Sequence, residues 1–287
     1  MLTAHPFPGP AWGELGDVVY EHDPEAEVLV VANETVDEAL LDTLPNLKLV
    51  ANYGVGYDRV DVDECARRRI AVVNTPGVLT DATADLAFAL ILAAVRGVVS
   101  GDRAVRAGKW KAGWSRGPLA GDVSGATLGI VGYGRIGSAV ARRAEGFGMR
   151  VLSVRSTAAD EELDELLRAA DIVSIHVPLS SRTHRLIDAR RLALLRDGTT
   201  LVNTARGEIV DSDALVRELV SGRISAGLDV FVGEPGVPQE LLGLDNVVLT
   251  PHIGSATVSA REGMTRLVVD NILALERGEP LLTPVAP

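Results

Sequence analysis

The chain has 287 residues, 47% apolar and 23% charged, a globular composition at a length that suits about two domains. Its 28 basic and 39 acidic residues give a formal charge of −11, which argues against a phosphate backbone as main partner and so against nucleic acid. The single cysteine, Cys65, excludes an intrachain disulfide and a multi-cysteine metal site, and the longest apolar run, residues 86–95, is too short to span a bilayer.

Aromatic residues are only 4% of the chain, so the core must come from Ala, Val, Leu and Ile. That favours buried parallel strands covered by helices. The first ten residues have no basic region and no apolar stretch, unlike a signal peptide, so the expected setting is cytoplasmic, with no membrane partner. In chain order, residues 27–31, 47–51 and 70–73 read as strands, with helices at 35–44 and 61–69 between them. Asn74-Thr75-Pro76-Gly77 punctuates this unit, and 83–99 reads as one long apolar helix.

From residue 127 strands and helices alternate. Strands are expected at 127–132, 150–154, 171–177, 200–204, 225–230 and 246–250. Helices are expected at 135–146, 160–170, 189–195 and 211–220, the last with Asp211 as N-cap. This alternation predicts a doubly wound parallel sheet. A last helix at 257–277 has no strand of its own and is expected to fold back onto the first unit. The expected domains are therefore residues 1–76 with 256–287, and residues 77–255, with a cleft between them.

Gly132-Tyr133-Gly134-Arg135-Ile136-Gly137 fits G-x-G-x-x-G, placed after a buried strand and opening a helix, the context that marks a dinucleotide site. The helix N-terminus there would face a pyrophosphate. An NAD site wants an acid about 20 residues on. Here the strand ends Val154-Arg155-Ser156-Thr157, with Arg155 18 residues past Gly137 and Asp160 the nearest acid. A guanidinium with two hydroxyls suits a 2′-phosphate, so NADP(H) is expected over NAD(H).

Ligands of an open parallel sheet bind beyond the carboxyl ends of its strands. Arg206 follows the 200–204 strand, Asp229 and Glu234 follow the next, and His252 follows the last. An arginine, a carboxylate and a histidine thus converge on one edge. Reduction of a 2-keto acid needs that set: a cation for the carboxylate, a proton donor, and an acid to hold the donor. His176, also at a strand end, is the rival histidine, but no paired acid is obvious. His5, His22 and His184 lie in peripheral or polar segments. No metal is expected.

At this point the chain resembles the D-isomer-specific 2-hydroxyacid dehydrogenases, particularly the glyoxylate and hydroxypyruvate reductases. The resemblance covers almost the whole chain. It rests on Asn52-Tyr53-Gly54-Val55-Gly56-Tyr57-Asp58, on Asn74-Thr75-Pro76-Gly77-Val78-Leu79-Thr80-Asp81-Ala82-Thr83-Ala84-Asp85, on the glycine motif and on the three strand-end segments. It implies a Rossmann-type cofactor domain beside a smaller, discontinuous, flavodoxin-like α/β substrate domain. It places the family's catalytic residues on Arg206, Glu234 and His252. It further implies that Val55 and Gly56 seat the substrate carboxylate by backbone N–H groups, that Asp229 meets the nicotinamide carboxamide, and that Thr83 lies along the cofactor. Val177, Pro178, Thr183, Thr204, Ala205 and Gly254, at or beyond strand ends, are further candidate cofactor contacts. Members are usually homodimers joined through the cofactor domains.

Three departures from the family stand out. The first strand of the substrate domain is reduced to a remnant around residues 2–5. A segment is skipped between Thr157 and Glu162, which would open the adenine side. Trp110 and Trp114 fall where relatives send a tryptophan across the dimer, though interface packing is the simpler role for them. The resulting expectation is NADPH-dependent reduction of a small keto acid. The alternatives are a same-fold dehydrogenase of formate or phosphite, and a dinucleotide-sensing corepressor.

Overall fold

The structure is a computed structural model that describes residues 2–3, 10–15, 22–111 and 119–286. Two compact units emerge, Met1–Thr80 with Ser255–Pro287, and Asp81–Gly254.

In the first unit, β1 (Leu2–Thr3), β2 (Val28–Val31), β3 (Leu49–Asn52) and β4 (Ala71–Val73) form a parallel sheet in chain order. Both faces of β2 and β3 are buried, which is why these strands read as continuous apolar runs without alternation. The connecting helices are α1 (Glu38–Asp42) and α2 (Val62–Arg67). Asp37 and Asp61 start them by accepting the backbone N–H groups of Leu40 and Glu64. The 35–44 helix is therefore shorter than expected, because Asp37 is its cap and Thr43 its end. Residues 4 and 5 of the expected first strand lie outside the described residues.

The C-terminal helix, Val258–Glu276, is capped by Thr257 and belongs to this unit. It buries Met264, Val268, Val269 and Ile272, and Tyr53 donates its hydroxyl to the Arg261 carbonyl at 2.9 Å. The tail beyond it does pair with the sheet, against expectation. Pro284 bridges Val73 in antiparallel sense, and Val285 N–H donates to Val72 O at 2.8 Å. A proline at an open edge loses no ladder bond, so the pattern there carried no strand signal. A short 3-10 turn, Pro10–Glu14, also went unforeseen; Glu14 there pairs with Arg266 at 2.7 Å.

In the second unit, the helix expected at 83–99 is broken. It becomes α3 (Thr80–Val95) and α4 (Val98–Arg106), bent by 63° where Gly97 adopts a left-handed φ of 61°. Among the described residues no single helix is long and apolar enough to cross a membrane.

Six parallel strands follow: β5 (Thr127–Val131), β6 (Arg150–Val154), β7 (Ile172–Ile175), β8 (Thr200–Asn203), β9 (Ser225–Leu228) and β10 (Val247–Leu249). Their order is β10-β9-β8-β7-β5-β6. The chain runs outward from β5 to β6, then returns to the other side of β5, so a topological switch point lies between β5 and β7. Four helices complete the unit: α5 (Arg135–Glu145), α6 (Asp160–Ala169), α7 (Ala189–Leu192) and α8 (Ser212–Val220).

Helices cover both faces. Leu128 and Ile130 of β5 face the apolar residues of α3 and α5, while Val131 joins those of α6, α7 and α8. This is the period-two alternation of a strand buried on both sides. The result is an α/β sheet whose carboxyl edge carries the glycine turn and the loops holding Arg206, Glu234 and His252.

Candidate active site

The turn from β5 into α5 is built on close approach. Gly132 adopts φ 105°, and a Cβ there would lie 2.6 Å from His176 C and Val177 N at the end of β7. A Cβ on Gly137 would overlap the Gly132 carbonyl oxygen. Gly134 differs, since nothing lies within 4 Å of its missing side chain. As the N-cap of α5 it offers no side-chain acceptor, and the N–H groups of Arg135, Ile136 and Gly137 have no backbone acceptor among the described residues. Those features fit a pyrophosphate laid on the helix N-terminus. The exposed Arg135 and half-buried Ile136 open that helix.

Beyond β6, Arg155 and Thr157 are exposed and Ser156 is half-buried. Asp160, the nearest acid, is bound to Arg191 Nη2 at 2.6 Å. Arg182 instead closes on this loop, donating Nη2 to Ala158 O at 3.0 Å. Val177 is buried and Pro178 exposed. Thr183 accepts from Ser180 N at 2.8 Å and donates to Pro178 O at 2.6 Å, so its hydroxyl closes its own turn.

Arg206 sits in the turn after β8. The buried Asn203 shapes that turn, donating Nδ2 to Arg206 O at 2.8 Å and accepting from Ala205 N at 3.0 Å. Arg206 Nη1 donates back to Ala205 O at 2.8 Å. The neighbouring Thr204 hydroxyl is buried with no hydrogen-bond partner among the described residues. An orphaned hydroxyl at the carboxyl edge fits a site that a polar ligand completes. Gly207 then lets the Arg206 turn lie directly on the next loop: its Cβ would overlap Phe231 C and stand 2.5 Å from Val232 N.

That next loop carries Glu234. Its Oε1 accepts from Phe231 N at 2.9 Å, and its Oε2 lies 2.7 Å from His252 Nδ1. Burial pushes the Glu234 carboxyl up, but the His252 and Phe231 hydrogen bonds and the charges of His252 and Arg206 outweigh it, so it lies below its ordinary value. An ionised carboxylate only accepts, so Nδ1 carries a proton and Nε2 is left for exchange. The side chains are 38% and 22% exposed for His252 and Glu234, so the pair is reachable but partly dry.

His252 itself has φ 52°, a left-handed backbone that a non-glycine residue holds only when its surroundings enforce it. The enforcing residue is Asp229. It is fully buried, and its carboxylate accepts from Thr250 Oγ1 at 2.6 Å, Ile253 N at 2.8 Å and Gly254 N at 2.9 Å. Burial pushes its pKa up against those three donors. Asp229 thus clamps the histidine loop through Thr250, Ile253 and Gly254. Thr83, also buried, donates to Gly254 O at 3.2 Å.

The rival His176 is half-buried, with Nε2 2.8 Å from the buried Ser174 Oγ. Burial pushes its pKa down to about 4, which keeps the ring neutral. Trp110 is 65% exposed; Trp114 and His5 lie outside the described residues. In the first unit, Val55 and Gly56 follow β3 in a loop fixed by Asn52 and Asn74, and their N–H groups have no acceptor among the described residues. Asn52, Asn74, Asn203 and Gly207 were all missed as site residues. An asparagine ending a strand just before a tight turn was the available signal for Asn52 and Asn203.

The family described as D-isomer specific 2-hydroxyacid dehydrogenase, NAD binding domain, matches residues 88–254. A glyoxylate reductase of Pyrococcus horikoshii is 48% identical over 93% of this chain and 86% of that protein. The TT0316 protein of Thermus thermophilus superposes with a TM-score of 0.90 at 42% identity, covering 99% of both chains. An NADPH-dependent glyoxylate/hydroxypyruvate reductase from Sinorhizobium meliloti, solved with NADP and malonate, gives 0.88 at 37% identity over 99% of this chain and 96% of that one.

Proposed function

The chain belongs to the D-isomer-specific 2-hydroxyacid dehydrogenase family, and from that premise we propose that it reduces a small 2-keto acid, glyoxylate or hydroxypyruvate, to the D-2-hydroxy acid, with NADPH preferred over NADH. The observation that carries this reading is the His252–Glu234 pair, held on a clamped loop within the field of Arg206.

The dinucleotide would be held by the glycine turn Gly132–Gly137 and α5, with Thr204, Ala205 and Val177 along the same edge. When bound, the reduced nicotinamide supplies the hydride for the keto carbon. Arg206 grips the substrate carboxylate through paired hydrogen bonds and polarises the carbonyl. His252 delivers the Nε2 proton to the carbonyl oxygen, and Glu234 stabilises the imidazolium before transfer. Arg155, Ser156 and Thr157, with Arg182 beside them, would take the 2′-phosphate, since Asp160 is already bound to Arg191. On this reading Asp81–Gly254 is the cofactor domain.

We also propose a homodimer through the cofactor unit. α4 buries none of its residues, and Val98, Val105 and Trp110 are exposed along and after it. A formate or phosphite dehydrogenase on this scaffold would have no carbonyl oxygen for His252 to protonate.

The test is a panel of keto acids run with NADPH and with NADH. Turnover of glyoxylate or hydroxypyruvate with a lower KM for NADPH supports the reading. NADPH binding without turnover of any keto acid overturns it in favour of a dinucleotide sensor.

A further inference from the structure

We propose that Asn52 and Asn74 are positioning residues, whose side-chain amides aim the backbone N–H groups of Val55, Gly56 and Tyr57 at the carboxylate of the substrate.

Three pinned carbonyls set the geometry. In the loop after β3, Asn52 Nδ2 donates to both Gly54 O and Gly56 O, each at 3.0 Å. Asn74 Nδ2 donates to Val55 O at 2.9 Å, and Thr75 N–H donates to Gly54 O at 3.0 Å. Donors from the β3 and β4 ends therefore fix three successive carbonyls. The intervening peptides are trans, so each N–H points opposite to its carbonyl. Pinning the carbonyls of Gly54, Val55 and Gly56 thus turns the N–H groups of Val55, Gly56 and Tyr57 the other way. None of the three has an acceptor among the described residues. Successive unpaired N–H groups of this kind make a small anion-binding concavity.

The two asparagines are themselves fixed. Asn52 ends β3 and is 3% exposed. Asn74 is held by the C-terminal tail, its carbonyl accepting from Thr283 Oγ1 at 2.7 Å, and Thr283 is in turn bound by the fully buried Asn271. A rigid support of this sort is what keeps hydrogen-bond donors aimed without reorganisation when charge arrives.

This inference rests on the keto-acid reading above, and the experiment separates the two. Initial rates are measured with NADPH on glyoxylate and on its uncharged methyl ester, for the wild-type protein, Asn74→Ala, Asn74→Asp and Asn52→Asp. The ratio of kcat/KM for acid over ester reports how well the carboxylate is held, and the KM for NADPH reports whether the fold is intact. The expected result is an acid preference in the wild type that falls about tenfold or more in Asn74→Ala, with KM for NADPH unchanged. The loss comes mainly through KM for glyoxylate. Asn74→Asp keeps the side-chain shape but presents an acceptor to the Val55 carbonyl, and it serves the same comparison if the alanine variant does not fold. A wild type without acid preference defeats the keto-acid reading itself. A wild-type preference that survives intact in folded Asn74 and Asn52 variants overturns the positioning role alone.

Discussion

Glu234 Oε2 and His252 Nδ1 are 2.7 Å apart, while the other oxygen of the same carboxylate is tied to the Phe231 backbone N–H. The carboxylate is therefore both a charge partner and a rigid stop for the imidazole. Replacing it with a neutral amide, Glu234→Gln, keeps the shape and removes the charge. In this variant kcat/KM should drop by about two orders of magnitude, the range of one positioned acid–base group. Binding of NADPH, measured by fluorescence titration, should stay unchanged.

The Arg206 turn and the Glu234 loop touch because position 207 has no side chain. Gly207→Ala would drive a methyl group into the Phe231–Val232 backbone, so one of the two loops must move. A shift near 1 Å costs about 10²-fold in rate when it misplaces a reacting group. The expectation is a large loss of kcat/KM for the keto acid together with a lowered Tm, since backbone must yield to the methyl group. Normal kinetics in Gly207→Ala would show that the two loops need not be in register.

Much of this was legible in the chain. The six strands of the second unit, the glycine turn and the three loop residues follow from apolar runs, a turn motif and the rule that ligands meet strand ends. What the sequence concealed depends on long-range contact. Gly207 reads as an ordinary loop glycine until Phe231 is placed against it. Asp229 reads only as a strand-end carboxylate until Thr250, Ile253 and Gly254 are seen to donate to it. The break at Gly97 was hidden because apolar residues continue on both sides of it. The Pro284 bridge was hidden because proline suppresses strand propensity.

The proposed preference for NADPH rests on Arg155. The acid nearest the end of β6, Asp160, is already paired with Arg191. Arg155→Ala should raise KM for NADPH about tenfold or more and leave KM for NADH within about twofold, as loss of a single charge-assisted phosphate contact implies. Equal effects on both dinucleotides would assign Arg155 no part in 2′-phosphate recognition.

The pKa of His176 is pushed down to about 4 by burial, so the native state resists protonation that the unfolded chain accepts. Its contribution is present above pH about 6.5 and is lost as pH falls towards 4. His176→Gln should flatten the fall of Tm over that interval while leaving neutral-pH turnover within about threefold.

Asp164 governs acid stability more deeply. The Arg190 hydrogen bond, opposed by burial and reinforced by Arg191, holds its carboxyl down at about 2 against an ordinary 3.8. The stabilisation is complete above pH about 4 and disappears as pH falls through about 2. Asp164→Asn should lower stability at pH 7, readable by urea denaturation, and the penalty should shrink as pH falls towards 2.

In the proposed mechanism turnover depends on proton delivery from one imidazole. The measurement is NADPH oxidation with glyoxylate at saturating substrate, wild type against His252→Ala, with NADPH affinity checked in both. The turnover rate should fall by about two to four orders of magnitude at unchanged NADPH affinity, the usual range for losing a general acid. Turnover that persists near the wild-type rate without the histidine would contradict it.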